Sequence, residues 1–181
     1  MATQEALVWQ HTVEGLVRCG KPRATALWQQ RLRVAGLELE KPLAPIYTRA
    51  QWREFILISA EELFQGTLEQ RLEKLGGAFI DEYAQTFLGR AVAALVKVIG
   101  PKRALERMTK SLRSGNNYSE TRTTFSGPTR AEFWLNETLG VPTYICGALS
   151  AVLRLAGARN VRIKTMQTDG HAATFAIEWD A

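Results

Sequence analysis

Val161-Arg162-Ile163-Lys164-Thr165-Met166, then Asp169-Gly170, then Ala173-Thr174-Phe175-Ala176-Ile177-Glu178-Trp179 is the stretch that decides the fold. On both sides of Asp169-Gly170 one residue type alternates with another, the period of a strand with one buried face. Asp-Gly between two such runs is a hairpin signal and predicts a type I′ turn. Upstream, Pro142 to Ala156 changes to a helical period, with Ile145, Leu149, Val152, Leu153 and Ala156 on one face. Its small residues Gly147, Ala148 and Ala151 suit close packing on a sheet. Residues 118–126 and 131–138 read as another hairpin around Gly127-Pro128. The order is β-β-α-β-β. A four-stranded antiparallel sheet packed against helices is the arrangement that buries its apolar face.

The chain before it reads as helical. Residues 22–35 form a helix with Leu27, Leu32 and Val34 as its apolar contacts, followed by a loop from Lys41 to Ile46. Thr48 caps a helix carrying Trp52, Phe55, Ile56 and Leu63. Gly66-Thr67 starts a short helix, which Gly76-Gly77 is expected to end. The strongest stripe, Ile80, Ala84, Phe87, Leu88, Ala91, Leu95 and Val98, predicts one central helix over 78–99. Gly100-Pro101 breaks it, and a further helix turns Leu105, Met108 and Leu112 inward. In the first 20 residues Leu7-Val8-Trp9 suits a strand and Val13 to Val17 the start of a helix. The fold class is α+β, in a single domain over 1–181, long enough to bury roughly 70% of its unfolded surface.

Composition narrows the class of protein. A hydrophobic fraction of 46% and a charged fraction of 23% are those of a globular domain. The longest apolar stretch, Ala91 to Ile99, is interrupted by Lys97 and too short to span a bilayer. No basic segment precedes an apolar run at the N-terminus, so a cytoplasmic protein is expected. Cys19 and Cys146 lie far apart, which fits free thiols in a reducing compartment. Neither they nor any Asp, Glu or His cluster has metal-ligand spacing, and no cofactor motif is present. Net charge is +5. Residues 101–130 hold seven basic and two acidic residues, so seven minus two accounts for all of it.

Several residues are candidates for a site. Arg103, Arg107, Lys110 and Arg113 follow helical spacing opposite Leu105, Met108 and Leu112, and form either an anion-binding stripe or a solvated face. The whole segment 102–130 offers a nucleotide or nucleic acid a basic surface, but no DNA- or RNA-binding motif accompanies it. Cys146, near the start of its helix, is either a nucleophile served by His171 or a small core thiol. Asp169-Gly170-His171 reads as a turn rather than an acid–base pair. Glu61-Glu62 and Asp81-Glu82 are adjacent on helices and should point apart. Asn116-Asn117-Tyr118, with Arg122, marks either a helix-to-strand corner or a ligand- or partner-binding site.

The runs Phe87-Leu88-Gly89-Arg90-Ala91, Gly100-Pro101-Lys102-Arg103-Ala104-Leu105-Glu106-Arg107-Met108 and Gly115-Asn116-Asn117-Tyr118-Ser119-Glu120-Thr121-Arg122 resemble a paralogous protein family of unknown function from myxobacteria. The resemblance covers most of the chain. Its most specific parts are the Gly-Asn-Asn-Tyr stretch and Leu155-Ala156-Gly157-Ala158-Arg159. The order of elements is similar to the fold shared by haem nitric-oxide-binding domains, vinyl-reductase-type small-molecule-binding domains and Bet3-like subunits of vesicle-tethering complexes. That resemblance implies ligand sensing or protein assembly, and pairing through helices. Haem-binding members need an axial histidine on a helix, whereas His171 sits beside a predicted hairpin turn and His11 lies in the N-terminal stretch that reads as either strand or helix. The clustered cysteines of vinyl-reductase-type domains are absent. The expected protein is a non-enzymatic regulatory or scaffolding module. It would form a homodimer and bind a partner protein or a small apolar ligand between helices and sheet. A cysteine-dependent enzyme and an anion-binding protein are the alternatives.

Overall fold

In the computed structural model, which describes residues 5–180, the N-terminal helices are built around a small sheet. The order is β1 (Leu7–Trp9), α1 (Gln10–Gly20), α2 (Ala26–Val34), β2 (Ile46–Thr48), α3 (Arg49–Leu63) and α4 (Leu68–Tyr83). Then come α5 (Phe87–Glu106), α6 (Met108–Arg113), β3 (Thr121–Gly127), β4 (Arg130–Leu135), α7 (Pro142–Leu155), β5 (Arg159–Thr168) and β6 (Ala173–Asp180). Residues 1–4 and 181, included in the single domain read from the sequence, lie outside the described residues. No described helix is long and apolar enough to cross a membrane.

The C-terminal half follows the alternation in its sequence. β3, β4, β6 and β5 lie side by side in that order, all antiparallel. Phe133 on β4 faces Phe175 on β6, and both are fully buried with Ile177, Leu149 and Leu153. Burying such a side chain contributes roughly 2–3 kcal/mol. β5, at one edge, pairs irregularly with β6 at two places, Arg159/Arg162 and Thr165/Gln167. The last hairpin differs in detail from the expected type I′ turn. Gly170 has positive φ but Asp169 does not, and the Asp169 carboxylate instead accepts from the backbone N–H groups of His171 and Ala172.

The N-terminal half has its own core around Leu16, Trp28, Leu32, Phe55, Ile56 and Leu75. Trp28 donates its indole N–H to the Ser59 hydroxyl at 3.1 Å, so both buried polar groups are satisfied. Thr48 and Thr67 start α3 and α4 with capping boxes closed by Gln51 and Gln70. Ile145 on α7 packs against both cores and joins them.

Several helix boundaries differ from the sequence reading. Pro22 lies in a short 3-10 turn, Lys21–Arg23, and α2 begins after Thr25, whose side chain accepts from Trp28 N–H. Leu27 and Val34 are exposed, and Trp28 joins Leu32 in the core instead. Leu7–Trp9 is a strand, as its sequence suits, and it pairs with β2, a three-residue strand with no readable period that takes only Ile46 from the expected loop. Gly76-Gly77 does not end a helix. α4 continues to Tyr83, and Gly76 serves the approach of α7. The predicted helix 78–99 is two helices, because Thr86 caps α5 by accepting from Gly89 N–H. α5 is not central, since Phe87, Leu88, Leu95 and Val98 are exposed. Gly100, at φ 78° and ψ 172°, breaks the helical backbone as predicted, although helical bonding resumes to Glu106. Glu61 and Glu62 do not point apart in effect, since Arg31 reaches both, at 2.7 and 2.6 Å.

Candidate functional site: a cavity walled by α4, α5 and α7

The site begins with a seam between two helices. A methyl group at Gly76 on α4 would collide with the Tyr144 carbonyl oxygen on α7, and one at Gly147 with the Glu73 carbonyl oxygen. The two backbones therefore touch at reciprocal glycines. The small residues predicted to pack α7 on the sheet instead let it meet α4 on one side, while Leu149 and Leu153 cover the sheet on another.

Beside the seam, residues of α4, α5, α6 and α7 wall a half-open cavity of about 170 Å³. Phe79, Tyr83, Val96, Met108, Leu135 and Tyr144 are among its lining residues. Phe79 organises the aromatic wall, with Trp52 at 5.8 Å, Tyr83 stacked at 5.8 Å and Tyr144 tilted at 6.1 Å between ring centroids. Glu137 is the one charged side chain in the lining. It pairs with Arg49 and accepts from Leu139 N–H at 2.8 Å. Glu137 also faces an outer cleft with Arg53 and His171.

Three phenols line the cavity. Burial pushes the Tyr144 hydroxyl well above its ordinary pKa, with Cys19 and Tyr118 adding to the shift. Burial does the same to Tyr118, reinforced by the Glu137 carboxylate and opposed by Arg49. Tyr83 is raised by burial and eased by a hydrogen bond with Ser114. All three are O–H groups at neutral pH. The Tyr144 hydroxyl is buried without a hydrogen-bond partner among the described residues. Leaving such a group unmatched costs about 1–3 kcal/mol, so its presence asks for an explanation.

The residues singled out from sequence separate into groups. Asn116 and Tyr118 line the cavity. The Asn116 side-chain carbonyl accepts from the N–H groups of Tyr118 and Ser119, closing the corner into β3. Asn117 is turned away, bonding Leu7 N–H and the Glu5 carbonyl and tying down β1. Arg122 is exposed and stacks on Trp134 at 4.6 Å. Arg103, Arg107 and Lys110 are exposed, whereas Arg113 is held by Glu120 and the Ser119 carbonyl. Cys146 is half-buried, 3.7 Å from the Thr165 hydroxyl, and burial raises its pKa. No hydrogen bond joins it to His171 among the described residues; that ring lies 3.8 Å from Glu137. Tyr83, Glu137 and Tyr144 were missed. Tyr144 precedes the apolar stripe of its helix by one residue, and Glu137 follows a strand without any motif.

This arrangement defines the fold. The chain has an H-NOX-like fold. It superposes on an H-NOX structure solved for the molecular mechanism of H-NOX activation with a TM-score of 0.71 and 10% identity, covering 96% of this chain and 97% of the other. An oxygen-binding H-NOX domain related to soluble guanylate cyclases, in its oxygen complex, gives 0.68 and 11%, covering 95% of each chain. The Fe(II) unliganded H-NOX protein from K. algicida gives 0.64 and 11%, covering 94% and 95%. No curated protein matches the chain in sequence. Within that fold, the chain belongs to the family described as protein of unknown function, DUF2378, which matches residues 6–180.

Proposed function

We propose that the protein is a non-enzymatic regulatory domain. It binds a small, largely apolar molecule in the cavity, with a single hydrogen-bond acceptor directed to Tyr144. The observation that carries this reading is the largely apolar cavity itself, with the unpartnered Tyr144 hydroxyl buried in its wall. An acceptor there would satisfy the donor, and the aromatic wall would take the remaining surface. A few placed polar groups in an apolar concavity are the usual form of a small-molecule site.

Haem, which the fold resemblance implies, does not fit these residues. The lining has no histidine and no Lys or Arg to meet two propionates, and its one carboxylate would repel them. The phenols are held protonated, which works against ligation through phenolate. The volume is near that of a ~150 Å³ apolar cavity able to hold benzene. The ligand class is therefore a compact molecule carrying a carbonyl or ether oxygen.

The test is native mass spectrometry on freshly purified protein, paired with binding of a naphthalene-based fluorescent probe. A mass above that of the polypeptide is expected, lost in Ala93→Phe, which fills the cavity. Probe affinity should fall about tenfold in that variant. A bare mass together with no probe binding overturns the reading. The same spectra report whether two copies associate, the pairing expected from the resemblance.

A further inference from the structure

α5 is apolar on two opposite faces. Gly89, Val92, Ala93 and Val96 line the cavity. Phe87, Ala91, Ala94 and Val98 run along the outside at i, i+4, i+7 and i+11, with Leu88 and Leu95 beside them. All six are exposed, Phe87 by 83% and Val98 by 85%. A contiguous apolar stripe of this kind marks an interaction site. Helical geometry sets Arg90 and Lys97 along one edge of it. From Thr86 through Leu105 the chain carries Arg90, Lys97, Lys102 and Arg103 and no carboxylate. None of the four makes an ion pair among the described residues, whereas Arg31, Arg49, Arg113, Arg130 and Arg162 each meet one.

We propose that the outer face of α5 docks on an anionic lipid surface. Phe87, Leu95 and Val98 enter the boundary between headgroups and acyl chains, and Arg90 and Lys97 meet the lipid anions. The shape of the face favours this occupant. Phe87 and Val98, exposed by more than four-fifths, project at the two ends of the stripe, and a fluid bilayer accommodates them without a complementary groove. The stripe runs about 16 Å, three helical turns, before Gly100 ends the regular backbone. A second copy fits the charges poorly. Antiparallel pairing through this face would gather two Arg90 and two Lys97 side chains on one side, with no carboxylate between them.

Vesicle flotation tests the proposal, using phosphatidylcholine vesicles with and without about 30% phosphatidylserine. The protein should float with the anionic vesicles only, and less as salt is raised. Phe87→Ser/Val98→Ser should lower partitioning by at least about tenfold, and Arg90→Gln/Lys97→Gln by about tenfold. These side chains are exposed, and circular dichroism checks that both variants fold. Equal recovery on both vesicle types, or partitioning unchanged in both variants, overturns the proposal. So does a solution dimer that Phe87→Ser/Val98→Ser converts to monomers, which would assign the face to a second copy.

Discussion

The two helices that flank the cavity beside α4 are held in opposite ways. α7 meets α4 through backbone, at Gly76 and Gly147, and carries Leu149 and Leu153 into the sheet core and Ile145 into both cores. α5 contributes Val96 and Ala104 to a small cluster with Ala156, and leaves its opposite apolar face in water. One wall is fixed because no side chain stands between it and its neighbour. The other is pinned at its ends, by the close approach of Gly89 to the Tyr83 carbonyl and by Leu105 in the sheet core, and between Arg90 and Gly100 it is held only by Val92, Val96 and Ile99. A domain of this design can keep its fold while one wall of its chamber adjusts to an occupant, because local stability tracks local burial.

The strongest way to break this contrast is at the seam. Gly147→Ala should destabilise the fold by about 4 kcal/mol, because the added carbon can be accommodated only by parting two backbones. Chemical denaturation measures it, and a cost below about 1 kcal/mol would show that the seam yields like an ordinary contact. A smaller effect is expected where the seam opens into the cavity. Tyr144→Phe removes the unmatched hydroxyl and should stabilise the ligand-free protein by about 1 kcal/mol. Loss of stability in that protein would mean that the phenol has a partner. The smallest change belongs to the outer face of α5, where Phe87→Ser and Val98→Ser should each shift stability by less than about 0.5 kcal/mol. A larger loss in unfolding experiments would place those residues in an interface within the protein's own assembly.

The sheet half of the fold was legible because its period is two and its faces differ sharply, as in Ala173, Phe175, Ile177 and Trp179 against their neighbours. The helical half was less so. Gly76 looks like a stop, yet its lack of a side chain serves a helix 70 residues away, a requirement no local pattern carries. The stripe from Ile80 to Val98 looks continuous, yet Thr86 divides it, and half of it faces outward. An apolar face reads the same whether a core, a ligand or a lipid surface covers it. Of the proposed site, Asn116 and Tyr118 stood out as an unusual polar cluster. Tyr83, Glu137 and Tyr144 gain their meaning only when four helices bring them together around one space.

The edges of the four-stranded sheet bear on how this protein meets others. β5 is an outermost strand, its outward positions carry Arg159, Arg162 and Lys164, and its pairing is interrupted twice. Charge and irregular hydrogen bonding at an open edge discourage another chain from adding a strand there. That edge of the sheet is thus guarded against fibril-like growth, even at concentrations where a regular, uncharged edge would template aggregation.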